Sequence, residues 1–444
     1  MTEAVLFLLF LGASLGYNVW QSRQRLQGWQ DAAVSCGLKV AEASSALSPK
    51  LTASAGPVQV RMETCGNKGR LTRIMVDAPE PQRGFRQVMI RPESLIKWGR
   101  EIEVGDELFD RTFFIEGPPQ LVFAVLDAEL RRLLGSVKSE SRLEISSGEL
   151  RAEMSDEKVG QVLPLLLDVS QRFAQPLDVP RRLAENANQD PEPGVRLQNL
   201  LLLIRELPDD PATAEALRKA CSDPSPGIRL RAAKEVGAEA RATLLELAGN
   251  LQDDAVSAEA VSILDRELPY ERTRAILVQA MSLHCVRTAR ACLEALGRSG
   301  AAAAIDKLVE VLASKDIELA PAAAQALGAI GSPAAEPPLI QALQRDDADI
   351  RVAAANALGR VGSAAAVLPL KEIADRFLLG ETRRAAHQAI AEIQSRLQGA
   401  TPGQLSLAGA EAGQLSLAQG EGGRLSLADD PAGPLSISGD DVED

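Results

Sequence analysis

Histidine is almost missing from this chain, with two in 444 residues. That scarcity argues against His-based catalysis and His-rich metal sites. Aromatic side chains make up only 3% of the sequence and are unevenly placed. Trp29, Phe85, Trp98, Phe109, Phe113, Phe114, Phe123 and Phe173 precede residue 178, whereas residues 178–398 hold only Tyr270 and Phe377. The five cysteines are odd in number and form no CxxC pair, which suggests no disulfide framework or zinc knuckle and fits reduced thiols in the cytoplasm. Excess positive charge is lacking too. A net charge of −13 argues against nucleic acid as a main partner. Apolar content of 45% and charged content of 25% are ordinary, so the chain is neither wholly disordered nor a polytopic membrane protein. No catalytic constellation is visible, and the sequence implies no cofactor and no metal.

Ala4 to Trp20 form one apolar stretch without a charge. Seventeen helical residues rise about 25 Å, just short of a bilayer's hydrocarbon core. Tyr17 and Trp20 sit where an interfacial aromatic belt falls. The preceding Met1-Thr2-Glu3 is not basic and no small-residue cleavage site follows, unlike a cleaved signal peptide. Arg23 and Arg25 come after the stretch, so the positive-inside rule places the bulk of the chain in the cytoplasm. The expectation is a single-pass anchor in the inner membrane, made by residues 1–20 with 4–20 in the bilayer.

Residues 21–177 read as a small α+β domain. Helices are expected at 20–36, Leu121–Leu134 and Lys158–Phe173. Strands are expected at Val58–Glu63, Leu71–Asp77, Arg86–Arg91 and Thr112–Glu116, with a hairpin turning at Ser147-Gly148. Within it stands Gly105-Asp106-Glu107-Leu108-Phe109-Asp110-Arg111-Thr112-Phe113. This GDxxFDxxF string resembles uncharacterised domains of bacterial membrane-anchored proteins and implies no activity. Asp106 and Asp110 have the chemistry for acid–base or metal work. The preferred reading is a turn at Gly105-Asp106, with Asp110 pairing with Arg111 or capping the next element.

Residues 178–189 are expected as a linker. Beyond them the chain is periodic. Ala295-Leu296-Gly297, Ala326-Leu327-Gly328 and Ala357-Leu358-Gly359 recur at a 31-residue step, and Ile228 precedes Gly237 by the offset that joins Thr288 to Gly297. Each unit has room for two helices of about a dozen residues. In 332–362, Ser332-Pro333 and Pro337-Pro338 start the first helix, and Asp346-Asp347-Ala348-Asp349 turns and caps the second. Gly359 allows close helix approach, and Gly362 is expected as a left-handed C-cap. Units of this kind cannot bury their apolar faces alone, so stacking makes an α-solenoid of six or seven units over 190–398. His284, Cys285 and Cys292 read as packing residues and His387 as a surface residue.

The string AAEPPLIQALQRDDADIRVAAANALGRVG closely resembles a HEAT-repeat unit, and in particular the short bacterial class of phycobilin-lyase-like repeats. Asp347 and Arg351 match that class's acidic turn and basic second-helix positions, and Asp223 and Arg229 resemble a similar pair. The resemblance implies a scaffold or adaptor rather than an enzyme. It makes Arg351, Asn356 and Arg360 candidates for partner binding on the second helices.

Residues 399–444 repeat with a ten-residue period and are read as a disordered acidic tail. Leu405 and Leu407, Leu415 and Leu417, and Leu425 and Leu427 place paired apolar side chains on one face of an extended strand. They are candidate docking peptides for a sheet edge, made multivalent by flexible spacers. The fold class is therefore multidomain: transmembrane helix, α+β domain, HEAT-repeat α-α superhelix and disordered tail. The function expected is a non-enzymatic, membrane-tethered scaffold that binds a protein, not nucleic acid. The alternative is a regulatory protein whose α+β domain senses a small molecule near Trp98 and Phe109–Phe114, relayed by the solenoid.

Overall fold

The computed structural model describes residues 2–44, 48–66, 71–77, 85–93, 100–376, 380–396, 405–407 and 415–417; the side chains of 2–15, 266, 405–407 and 415–417 lie outside the description. The chain divides into two compact units, Met1–Val236 and Gly237–Asp444.

The first unit opens with helix α1 (Thr2–Ser35) and an eight-stranded antiparallel sheet. The strands are β1 (Lys39–Ser44), β2 (Lys50–Ala55), β3 (Val58–Cys65), β4 (Leu71–Asp77), β5 (Met89–Pro92), β6 (Phe113–Glu116), β7 (Arg142–Ser146) and β8 (Glu149–Met154), in the order β1-β2-β3-β4-β8-β7-β5-β6. Period-two alternation drives the pairing. Val60 sits opposite Val76, Met62 opposite Ile74 and Ile145 opposite Leu150, all fully buried on one face. On the other face Arg73 pairs with Glu63 and Glu153 on the flanking strands, and Arg61 with Asp77 and Glu149. Ser147 and Gly148 both have positive φ, so the β7–β8 hairpin turns where expected. β1 and β2 were not expected, because their Ala, Ser, Thr and Lys residues carry little β signal.

Three helices follow the chain between strands: α2 (Glu107–Asp110), α3 (Pro119–Val125) and α4 (Ala128–Glu140). The helix expected over Leu121–Leu134 is thus two, broken at Leu126-Asp127, where Asp127 caps α4 by accepting from Leu130 N at 2.9 Å. After β8 comes α5 (Val159–Ala174), whose Val162, Leu163, Leu166 and Val169 are buried in the core. Trp29, Leu26 and Ala33 of α1 join the same core. Among the described residues no helix is long and apolar enough to cross a membrane. Most of the apolar run lies in residues 2–15, outside the described side chains.

The segment 178–189 is not a linker. It forms α6 (Val179–Gln189), started by Asp178, which accepts from Arg181 N, and by Pro180 in the first turn. With α7 (Pro193–Glu206), α8 (Pro211–Ala220) and α9 (Pro226–Val236) it belongs to the first unit. Leu183, Ala187, Leu200, Leu203 and Ala216 share a core with Phe123, Leu126 and Leu130. The boundary therefore falls after Val236, because the first helix pairs bury their apolar faces against the sheet domain.

The second unit continues with helix pairs α10 (Arg241–Asn250) and α11 (Asp254–Leu264), α12 (Tyr270–Ser282) and α13 (Val286–Ser299), α14 (Ile305–Ala313) and α15 (Ala320–Ile330), α16 (Glu336–Ala342) and α17 (Ala348–Val361), and α18 (Val367–Arg376) and α19 (Glu381–Arg396). With the two earlier pairs the described residues hold seven, the first of them beginning at Val179 in the segment expected as a linker. The second helices stack directly. An added Cβ on Gly297 would lie 2.8 Å from Ala326 Cα, and one on Gly328 would lie 2.8 Å from Ala357 Cα. Gly300 and Gly331 end their helices in the left-handed conformation, but Gly362 does not: its φ is −64°, so it is extended rather than a left-handed cap.

In the tail, β9 (Leu405–Leu407) and β10 (Leu415–Leu417) pair antiparallel, Leu405 opposite Leu417. Two successive ten-residue copies thus pair with each other, where a disordered tail was expected. Leu425 and Leu427 lie outside the described residues.

Candidate functional site

Two arrangements stand out, a buried joint in the first unit and a groove in the second. The joint starts at GDxxFDxxF. Asp106 caps α2, accepting from Phe109 N at 3.1 Å, and takes Arg131 Nε at 2.9 Å on its other oxygen. Asp110 accepts from Val104 N and Gly105 N, both at 2.9 Å, and Arg111 pairs with Glu107 rather than with Asp110. Burial raises the Asp110 carboxyl above the ordinary carboxylate range, partly offset by those two backbone bonds. Gly105 abuts the Gly194 backbone at the start of α7 so closely that a Cβ on either would overlap the other. Both carboxylates are therefore spent on structure. Phe109 and Phe113 stack in the core at 4.8 Å, Phe114 is buried beneath Arg91, and Trp98 lies outside the described residues.

From Arg131 the joint runs into the helix pairs. Its two terminal nitrogens grip Asp190 at 2.8 and 2.9 Å, and Nη1 also donates to Leu126 O. Arg196 repeats the pattern. It donates Nε and Nη2 to Asp223 at 2.7 and 2.9 Å, and Nη1 to the carbonyls of Asp190 and Pro191. Arg229 donates to the carbonyls of Asp223 and Pro224. Arg196 and Arg229 each lock the turn five and six residues behind them, and the Asp223 carboxylate serves Arg196 of the preceding helix pair, as Asp190 serves Arg131 of α4. The hydrogen bonds that Arg196 donates to Asp223, with the negative charge of that carboxylate, raise the Arg196 pKa against the opposing effect of burial.

Arg351 obeys the same rule. It is only 8% exposed, and its Nη1 donates to Arg345 O at 2.7 Å and Asp346 O at 2.6 Å. Its buried side chain fastens its own turn, where a partner-binding residue was expected. Asp347 caps α17, accepting from Asp349 N and Ile350 N, rather than pairing with Arg351. Nor is Asp223–Arg229 a side-chain pair, since Arg229 takes the Asp223 carbonyl and Arg196 takes its carboxylate.

The groove lies across the second helices of the second unit. Its volume is about 510 Å³, and its lining includes Glu294, Ile317, Glu318, Gln325, Asp349 and Asn356. The 31-residue register sets its geometry. Glu294, Gln325 and Asn356 occupy one exposed position on α13, α15 and α17, and Glu318, just before α15, and Asp349, in the first turn of α17, occupy another. Ile317, at the lip, is 59% exposed. Pro321, Ala322, Val352 and Ala353 supply a small apolar floor. A smaller recess of about 320 Å³ adjoins it at Arg290 and Glu294.

Of the expected partner-binding residues, Asn356 is in the groove. Arg360 is exposed one turn further along α17, outside the groove lining, and its carbonyl accepts from Arg396. The side chains of Leu405, Leu407, Leu415 and Leu417 are not described. Gln325, Glu318 and Ile317 were missed, although adding one period to Glu294 or subtracting one from Asn356 reaches Gln325. His284 and His387 are exposed, and Cys285 and Cys292 are buried. Burial pushes the Cys292 thiol up to about 12.

Residues 305–391 match the family model for HEAT repeats, and residues 288–314 match that for the PBS lyase HEAT-like repeat. Residues 305–391 are HEAT repeats. Among solved structures the HEAT-bearing chain is similar to the complex of CpcE and CpcF of phycocyanin lyase from Nostoc sp. PCC7120, at 20% identity, 49% of this chain, 96% of that chain and a TM-score of 0.29. It is also similar to human deoxyhypusine hydroxylase in complex with glycerol, at 18% identity, 49% of this chain, 96% of that chain and a TM-score of 0.23. An engineered protein matches at 16% identity over 62% of this chain and 88% of its own, with a TM-score of 0.29. Scores this low carry no chemistry across. No curated protein matches the sequence.

Proposed function

We propose that this chain is a non-enzymatic scaffold that holds a protein partner in the HEAT groove across α13, α15 and α17. One observation carries the reading: the repeat register puts Glu294, Gln325 and Asn356, all exposed, in a row along a groove with an apolar floor. Rigid stacking supports it, because the Gly–Ala contacts fix the spacing of the row. Asp110 and Cys292, whose acidity burial perturbs, are a loop fastener and a core residue.

Membrane tethering through residues 4–20, with the bulk of the chain in the bacterial cytoplasm, is part of the proposal. Its support is the uncharged stretch within the continuous α1 and the arginines that follow it. A second reading is favoured by the buried chain from Asp106 through Arg131 and Asp190 to Arg196: a ligand on the sheet domain would be felt by the helix pairs.

The test places a photo-crosslinking amino acid at position 325 or 356 in cells, with position 310 on α14 as the control. The proposal expects the same discrete adducts from 325 and 356 and none from 310. Equal adducts from all three positions, or adducts from 310 alone, would refute it.

A further inference from the structure

The chemistry of the groove specifies what it holds. Glu318 and Asp349 stand one unit apart in the same register, and neither carboxylate has an ion-pair or hydrogen-bond partner among the described residues. Glu294 adds a third exposed carboxylate, with Arg298 at 3.6 Å. Against them stands Arg290, which points a terminal nitrogen at the Glu318 carbonyl. The groove is therefore acidic, with charge left uncompensated at two regularly spaced points.

A second row runs beside the first. The Gln325 and Asn356 amides are exposed and make no hydrogen bond among the described residues. Each offers a donor and an acceptor, the complement of a backbone whose own N–H and C=O groups are unpaired. Neighbouring helices pack about 8–10 Å apart. A polyproline II segment has no internal hydrogen bonds and rises about 3.1 Å per residue, so three residues span about 9.3 Å. One unit of the groove thus matches three residues of such a segment.

Resting on the groove reading above, we infer that the occupant is a basic, extended segment of the partner protein, crossing the second helices in polyproline II form. Its cationic side chains recur every third residue, over Glu318 and then Asp349. Gln325 and Asn356 take its backbone, and apolar residues between the cations meet Pro321 and Val352.

The test uses the full chain and fluorescein-labelled twelve-residue peptides, read by fluorescence anisotropy. (Lys-Pro-Ala)4 should bind and weaken with added salt. (Glu-Pro-Ala)4 should not bind, and a peptide of the same composition with its four lysines contiguous should bind more weakly. The double variant E318Q/D349N should lose about ten-fold in affinity for (Lys-Pro-Ala)4, as expected for two exposed charge pairs. E310Q, on α14, should change nothing, which separates the groove from the general negative charge of the chain. Circular dichroism melting curves matching wild type show that the variants fold. Failure of (Lys-Pro-Ala)4 to bind, equal binding of the glutamate peptide, or affinity unchanged in E318Q/D349N would overturn the inference. Crosslinks from 325 and 356 that persist in E318Q/D349N would leave the groove reading intact while removing the basic occupant.

Discussion

Arg131 and Asp190 meet through two parallel hydrogen bonds of 2.8 and 2.9 Å, with side-chain exposures of 4% and 1%. The pair joins a helix of the sheet domain to the turn between the first two repeat-like helices. Asp106 occupies the remaining face of the guanidinium, so the charge is compensated on both sides. This makes residues up to Val236 one folding body rather than a domain with a linker.

Removing one partner of that pair leaves a buried charge alone. R131A and D190A should each lose about 3–5 kcal/mol of stability. Urea denaturation of the full chain should show the loss, with the sheet domain and the first helix pairs unfolding together. A separate, earlier transition for residues 179–236 would contradict the shared body.

The Gly–Ala stacking predicts opposite signs for two glycine substitutions. G328A forces a methyl group to within 2.8 Å of Ala357 Cα, where backbone must shift, and should cost about 1–3 kcal/mol. G135A in α4 meets nothing within 4 Å and should stabilise by about 0.5–1 kcal/mol through helix propensity. Thermal melts of the two variants test both signs.

Asp254 links neighbouring second helices, accepting from Arg287 N, Thr288 N and Thr288 Oγ1 at 2.7–2.9 Å. Burial disfavours its charge, but the hydrogen bonds from Thr288 and Arg287 outweigh burial and hold the carboxyl below its ordinary value. A depressed folded pKa contributes stability that is fully present above the unfolded value, about 3.9, and is lost as pH falls through the folded one. D254N should be less stable than wild type at neutral pH, with the gap narrowing below about pH 4. Urea midpoints measured across that range give the comparison, and a gap independent of pH would be the wrong outcome.

Cysteine reactivity should follow burial. Cys292, with its thiol pushed up to about 12, should resist a thiol reagent in the native chain at pH 8 and react only on unfolding. Cys36 and Cys221 are half-buried and should label first. Mass spectrometry after timed alkylation resolves the order.

The solenoid was legible because its signal is periodic and local: the recurring Ala-Leu-Gly string marks the units, and its glycines Gly297 and Gly328 lie against Ala326 and Ala357. The joint was not legible, because its partners lie far apart in sequence. Arg131 and Asp190 are 59 residues apart, and neither sits in a motif. The same blindness placed a linker at 178–189, where polar residues such as Asn186 hide a side chain that donates to Phe123 O inside the core. Arg351 was expected as a partner-binding candidate, since sequence shows a charge but not the turn carbonyls it bonds. Asn356 is exposed on the groove, a face that its place in the register fixes by itself. Gly362 was expected as a left-handed cap, but its backbone is extended.

Hydrogen–deuterium exchange of the full chain, with and without the partner recovered by crosslinking, is the most direct test of the proposal that the groove holds a protein. Protection is expected in peptides covering 287–298, 318–329 and 349–360, with α12, α14 and α16 unchanged. Protection confined to those first helices, or to the sheet of the first unit, would contradict the account.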